Sequence, residues 1–129
     1  MRPKAVERWR AMVAARDYAG VSDLLAEDAV FRSPVVNAPQ VGKALTAKYI
    51  RSAMRILGNS SFRFTGEWFA ECSGVLEFEV EIEGVTINGV DILQWNDFDQ
   101  IVAFKVMVRP IKAINLLQEK IAQALQGAV

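Results

Sequence analysis

Between residues 62 and 109 the hydrophobic period is two, and nothing else in the chain restricts its fold as much. Phe62, Phe64, Gly66 and Trp68 alternate with Arg63, Thr65 and Glu67, and Leu76, Phe78, Val80 and Ile82 alternate with Glu77, Glu79, Glu81 and Glu83. Residues 84–95 (GVTINGVDILQW) follow, then Asn96-Asp97-Phe98-Asp99 as a turn, then residues 101–109. Side chains on a strand point alternately to its two faces, so each run reads as a strand buried on one side. Four such strands joined by tight turns make an antiparallel meander.

The first half reads as helix. Residues 3–17 carry Val6, Trp9, Met12 and Val13 at helical spacing, with Pro3 suited to a first turn. Gly20 breaks that helix, and Ser22-Asp23-Leu24-Leu25 reads as a short second one. Residues 29–31 are a brief strand ending near Pro34, and residues 34–42, with Pro39, a loop. A third helix is expected over 46–57, with Leu45, Tyr49, Ala53 and Ile56/Leu57 on its buried side and Gly58-Asn59 stopping it. Pro110 ends the last strand, and Ile111, Ile114, Leu117, Ile121 and Leu125 mark an amphipathic C-terminal helix over 110–126. Helices first and strands later predict an α+β fold, with helices on one face of a curved antiparallel sheet. With 129 residues and no repeat or linker, residues 1–129 are expected to form one domain.

One residue breaks the pattern. The odd positions of the third long strand are Val85, Ile87, Gly89, Asp91, Leu93 and Trp95, so a carboxylic acid falls among hydrophobes on the buried face. An acid there is costly unless it is neutral, hydrogen-bonded or open to a cavity, and an apolar cavity with one convergent polar group is the usual recipe for a small-molecule site. Two readings stand. In one, Asp91 contacts a ligand and burial raises its pKa; the neutral acid can then donate to a carbonyl oxygen, and the ionised form can take a proton. In the other it is a structural acid, satisfied by a backbone amide or a tryptophan N–H. Trp9, Phe31, Trp68, Phe78, Trp95 and Phe104 are all expected to face inward, some as core and some, with Leu93, as walls for an aromatic or alicyclic ligand. Tyr49 is a second donor or a packed ring with its hydroxyl at a rim; Ser33 is a further polar contact. Glu27 and Asp28 read as capping or solvated groups, and Glu67 as outward-facing.

Lys and Arg together number 15, and so do Asp and Glu. Zero net charge argues against a nucleic-acid or membrane-surface binder, which needs a basic excess. There is no run of 18 apolar residues, and the opening MRPKAVERWR is charged and helical rather than a secretory leader. A lone Cys72 fits a reducing cytoplasm, the expected location. The absence of histidine removes Ser–His and Cys–His pairs and histidine-based metal sites. The comb Glu77, Glu79, Glu81, Glu83 spaces its carboxylates about 6.5–7 Å apart, too far for neighbours alone to chelate a cation. It reads instead as a charge-matched outer surface facing Arg63, Lys105 and Arg109. No metal and no cofactor are expected. Val90, Ile92 and Met107 project to the same outer face, which predicts a homodimer with an apolar centre and an ionic margin.

The order helix, short helix, short strand, helix, four-strand meander resembles the cone-shaped nuclear transport factor 2-like superfamily. Leu25-Ala26-Glu27-Asp28-Ala29-Val30-Phe31 is similar to its acidic entry into the first strand, and Gly89-Val90-Asp91-Ile92-Leu93-Gln94-Trp95, an acidic turn and Ile101-Val102 to its hairpin motif. The trailing Val106-Met107-Val108-Arg109-Pro110 and last helix resemble the branch grouped with SnoaL-like cyclases and ketosteroid isomerase. The resemblance implies a cone around an internal pocket for a small hydrophobic ring or carbonyl compound, bound, isomerised or cyclised, or else a non-catalytic binding or dimerisation module. The oxyanion-hole acid of ketosteroid isomerase, held protonated by an apolar site, falls on Asp91. The isomerase's base falls on Ser33 and its tyrosine donor on Trp9, so one of three matches. The last helix then either covers the open end of the cone or packs on a partner subunit.

Overall fold

The strands of the computed structural model, which describes residues 1–127, fall where the alternation places them. In chain order the elements are α1 (Lys4–Ala15), a 3₁₀ turn (Val21–Leu24), β1 (Leu25–Arg32), β2 (Gln40–Val41), α2 (Lys43–Leu57), β3 (Arg63–Phe69), β4 (Ser73–Ile82), β5 (Val85–Trp95), β6 (Ile101–Arg109) and α3 (Ile111–Gly127). They form one six-stranded sheet in the order β2-β1-β6-β5-β4-β3, curved but not closed. β3 to β6 are the expected antiparallel meander. β1 joins it by lying parallel to β6.

The turns have local causes. Between β4 and β5, Glu83 and Gly84 both have positive φ (51° and 78°), the geometry of a two-residue primed turn that suits the twist of the flanking strands. Between β5 and β6 the Asn96 side chain accepts the backbone N–H of Phe98 (3.0 Å) and of Gln100 (3.1 Å). In α1 the stripe Ala5, Val6, Trp9 and Val13 is buried against the concave face of the sheet. Most of that face is apolar: Leu76, Phe78, Val80, Ile87, Leu93, Phe104 and Val106 are all buried.

Four sequence expectations are corrected. Trp68 is 58% exposed and points outward, while Glu67 points inward. The cause is a bulge: Phe64 pairs with Phe78 but Gly66 with Glu77, so Thr65 is an extra residue and the facing reverses beyond it. Leu25 belongs to β1, which is longer than the expected 29–31. Residues 34–42 contain the short strand β2 rather than loop alone. In α2 the buried side is Thr46, Ala47, Ile50, Met54 and Leu57, so the helix is turned by about one residue and Leu45 is exposed. Thr46 is buried because its hydroxyl donates to the carbonyls of Ala29 (3.1 Å) and Gln40 (3.3 Å), tying α2 to β1 and β2.

Gly89 is needed for its size. It pairs with Phe78 across the sheet, and a Cβ there would lie 2.5 Å from the end of the Phe78 ring and 2.8 Å from the Met107 carbonyl. The backbone atom cannot move aside cheaply. Gly89→Ala is expected to cost about 1–3 kcal/mol in urea unfolding through overpacking; an unchanged midpoint would show that the strands separate freely at this point.

Candidate functional site

Asp91 sits in the middle of β5, with Leu76 of β4 and Val106 of β6 directly across from it. It is 5% exposed, and its Oδ2 accepts the indole N–H of Trp9 in α1 at 3.2 Å. Desolvation raises its pKa from 3.8 to about 7, opposed in part by that hydrogen bond. Trp9 in turn packs edge-on against Phe104 (5.1 Å) and at 6.0 Å from Tyr18, a ring that no sequence pattern singles out. The Tyr18 hydroxyl is buried with no hydrogen-bond partner among the described residues. Burial first, and the nearby Asp91 charge second, push its pKa to about 12, so it remains a neutral donor. Tyr18 lies in the turn after α1, where no periodicity assigns a face. The closeness of Gly58 (a Cβ there would be 3.2 Å from the Tyr18 oxygen) makes room for it.

Beside Asp91 is a cavity of about 10 Å³, lined in part by Trp9, Phe31, Ile50, Met54 and Phe104. A second of about 10 Å³ lies next to it, lined in part by Ser33, Tyr49, Leu117 and Ile121. The two share Phe31, Ala53, Leu57 and Val106 as a common wall. Each is at the threshold for one water molecule. The open pocket expected from the sequence is therefore closed in this structure, and α3 closes it: Ala113, Leu117 and Ile121 form a buried stripe along that helix. A Lys120–Glu83 ion pair joins α3 to the β4–β5 turn. Within one chain, α3 thus covers this end of the sheet.

Of the residues expected at the site, Trp9, Phe31 and Phe104 meet at Asp91, and Ser33 and Tyr49 stand one cavity away. Phe31 links the two groups, 5.8 Å from Phe104 and 6.2 Å from Tyr49. The Ser33 hydroxyl accepts the Val35 backbone N–H at 3.1 Å. Phe78 stacks on Phe62 at 5.1 Å and Leu93 pairs beside Phe104, and neither lines these cavities. Glu67, on the same inner row as Asp91 with Leu76 between, is bound by Arg2 (2.9 Å), which precedes α1, and by Arg10 of α1 (3.3 Å). Among the described residues no helix is long and apolar enough to cross a membrane, and no cluster of three acidic or thiol groups is placed to hold a metal.

The family described as SnoaL-like domain matches residues 6–104. Among solved structures, a steroid delta-isomerase from Pseudomonas aeruginosa is 28% identical, with a TM-score of 0.91 covering 96% of this chain and 90% of that one. A protein with a cystatin-like fold from Silicibacter pomeroyi is 24% identical, with a TM-score of 0.88 covering 96% and 86%. A protein of ketosteroid isomerase-like fold from Catenulispora acidiphila, in complex with trimethylamine, is 15% identical, with a TM-score of 0.63 covering 82% and 85%. No curated protein matches the chain.

The raised pKa of Asp91 makes a stability prediction whose sign is fixed. The neutral acid suits the site, so its contribution is complete below the unfolded value of 3.8 and is lost as pH rises through about 7. The accumulated cost of holding the charge above that pH is about 4 kcal/mol, at 1.36 kcal/mol per unit. Asp91→Asn is uncharged at every pH and keeps an acceptor for Trp9. Its unfolding free energy is expected to lack the fall between about pH 4 and 7 and to exceed that of the wild type in mild alkali. Urea titrations at stepped pH measure this; a variant clearly weaker at neutral pH would mean that the ionised carboxylate is the satisfied form.

Proposed function

We propose that this chain, which belongs to the SnoaL-like domain family, binds a small hydrophobic compound carrying a ring carbonyl, with Asp91 presenting it a proton. One observation carries the reading: a fully buried carboxyl with pKa near 7 at the end of an apolar space. Near neutral pH such a group is substantially protonated, and a protonated carboxyl can donate to a carbonyl oxygen in a site with little else to offer it. The likeness to a steroid delta-isomerase supports the same ligand class.

Isomerisation or cyclisation of a ring carbonyl needs a donor at oxygen and a base at the neighbouring carbon. Asp91 is a donor that lines the first cavity. Among the described residues no second carboxylate lines either cavity, and Ser33 stands where the resemblance puts the base. Binding with polarisation of the carbonyl is therefore the reading best supported; turnover requires a base brought by the substrate or by water. Volume adds a second requirement. A benzene-sized ring occupies a cavity of about 150 Å³, so a ring ligand enters only when Leu117 and Ile121 of α3 draw back.

A thermal-shift series of wild type, Asp91→Asn and Leu117→Ala against cyclohexenone, phenol and a steroid enone tests both points. The wild type is expected to gain several degrees more than Asp91→Asn with a ring ketone. Leu117→Ala is expected to be less stable by about 2–5 kcal/mol but to bind more tightly, because its space is already open. Equal stabilisation of wild type and Asp91→Asn would remove Asp91 from the site, and the absence of any shift in all three proteins would remove the ligand.

We propose further that the outer sheet face pairs two copies of the chain. Its rows run Trp68–Val75–Ile92–Lys105, then Glu77–Val90–Met107, then Arg63–Glu79–Asn88–Arg109. Met107 is 55% exposed near the centre of that face. Acids concentrate on β4 and cations on β6, so a two-fold rotation can set one strand's charges over the other's. Met107→Glu is expected to convert a dimer to a monomer in sedimentation equilibrium while changing the unfolding free energy of a chain by less than about 0.5 kcal/mol. A wild type that sediments as a monomer would end the proposal.

A further inference from the structure

A second candidate site, larger than the cavities at Asp91, lies elsewhere on the molecule. Between α1 and the α2–β3 loop lies a cleft of about 250 Å³, walled by Phe62 and Phe64, whose rings meet edge to face at 5.2 Å. Three guanidinium groups border it: Arg10 and Arg16 from α1 and its cap, and Arg63 from β3. Arg10 lies 4.7 Å above the Phe64 ring and shares Glu67 with Arg2. Arg63 pairs with Glu79 at 2.5 Å. Arg10 and Arg63 are thus each paired with a carboxylate, whereas Arg16 has no ion-pair partner among the described residues.

Arg16 is also in an unusual backbone position. As the C-cap of α1 it has φ 51°, in the left-handed region that favours glycine. Its own N–H caps the Val13 carbonyl (3.1 Å) and that of Asp17 caps Met12 (3.4 Å), while Gly58 N–H caps Met54 (2.8 Å). The helix ends facing the cleft are thus closed by backbone donors, and the Arg16 side chain is not needed for that task. Asp17, the nearest acid in sequence, turns back to accept the Ala19 N–H at 3.1 Å.

We infer that this cleft binds an organic anion, a carboxylate or phosphate monoester on a flat apolar body, with Arg16 as its principal cation. A planar guanidinium fork matches either oxyanion with two parallel hydrogen bonds. The aromatic wall takes the body. This site is separate from the Asp91 cavities and does not depend on what they hold.

Calorimetric titration of the intact protein with benzoate, phenyl phosphate, inorganic phosphate and benzyl alcohol tests it, together with melting curves of Arg16→Gly. Benzoate and phenyl phosphate are expected to bind, more weakly as salt is raised, and uncharged benzyl alcohol is not. Arg16→Gly relieves the left-handed cap, so it should melt no lower than the wild type while its affinity for both aryl anions falls about tenfold, the loss of one charge-assisted contact. Arg16→Asn, which also tolerates this backbone region, replaces it should the glycine variant fail to fold. Unchanged affinity in these variants overturns the inference, as does failure of both aryl anions to bind the wild type. Inorganic phosphate binding as tightly as phenyl phosphate would overturn the role of the aromatic wall.

Discussion

The concave side of this protein is organised around one carboxyl group that water does not reach. A carboxylate offers about four lone-pair sites, and Asp91 receives one side-chain donor, the Trp9 indole. One partner is too few for a buried charge, so the proton stays on up to about pH 7. The same bond positions α1, since Trp9 can reach Asp91 only if the helix lies across the middle of the sheet. The neighbouring residue Arg10, with Arg2, reaches Glu67 on the same inner row two strands away, about 10 Å at the usual strand spacing. The helix is therefore held by two carboxyl groups of opposite character. Glu67 is partly exposed and paired with two arginines; Asp91 is buried and met by the neutral indole donor.

That arrangement depends on an irregularity. Were Thr65 not an extra residue in β3, Glu67 would face outward and Trp68 inward. The two arginines would lose their partner, and an indole would compete for the space beside Leu76 that the α1 contacts occupy. A comparable shift in β6, where Trp95 pairs with Ile101 and Gln94 with Ala103, lets both Ile101 and Phe104 face the core although they are an odd number of positions apart. Bulges re-aim side chains in this way while leaving the sheet intact, and here one of them decides which acid meets the helix.

The sequence is legible where a period persists and illegible where it is interrupted. The ten residues of β4 keep strict alternation, and so does Asp91 in β5, which is why its burial can be read from its neighbours alone. The bulge at Thr65 leaves no mark in the composition: Phe62, Phe64, Gly66 and Trp68 look like one apolar face, and Glu67 like a solvated residue. The facing of α2 differs from its pattern by about one residue because Leu45 is the more apolar choice beside Thr46. Thr46 is nonetheless buried, since its hydroxyl meets two carbonyls supplied by the neighbouring strands β1 and β2. Tyr18 is invisible to periodicity for a related reason, because a turn has no period and its burial depends on Gly58, forty residues later. The parallel contact of β1 with β6 likewise joins segments that no local pattern connects.

The closed state also bears on which ligands the Asp91 site can accept. Withdrawing Leu117 and Ile121 returns two large aliphatic side chains to water, which costs about 3–6 kcal/mol at 1.5–3 kcal/mol each. An open form that far uphill is populated at about one part in 160 to about one in 25,000, and the apparent affinity of any ligand is reduced by the same factor. A polar molecule gains little from entering and cannot offset that cost. A hydrophobic ring that buries about 150 Å² of its own surface recovers about 4 kcal/mol, enough to cancel much of it. The Lys120–Glu83 pair orients α3 but lies in solvent, so the apolar stripe is what holds the helix shut. On the function proposed above, selection would be in two stages, with the hydrophobic body of the ligand opening the site and the hydrogen bond from Asp91 distinguishing a carbonyl from a hydrocarbon of the same shape.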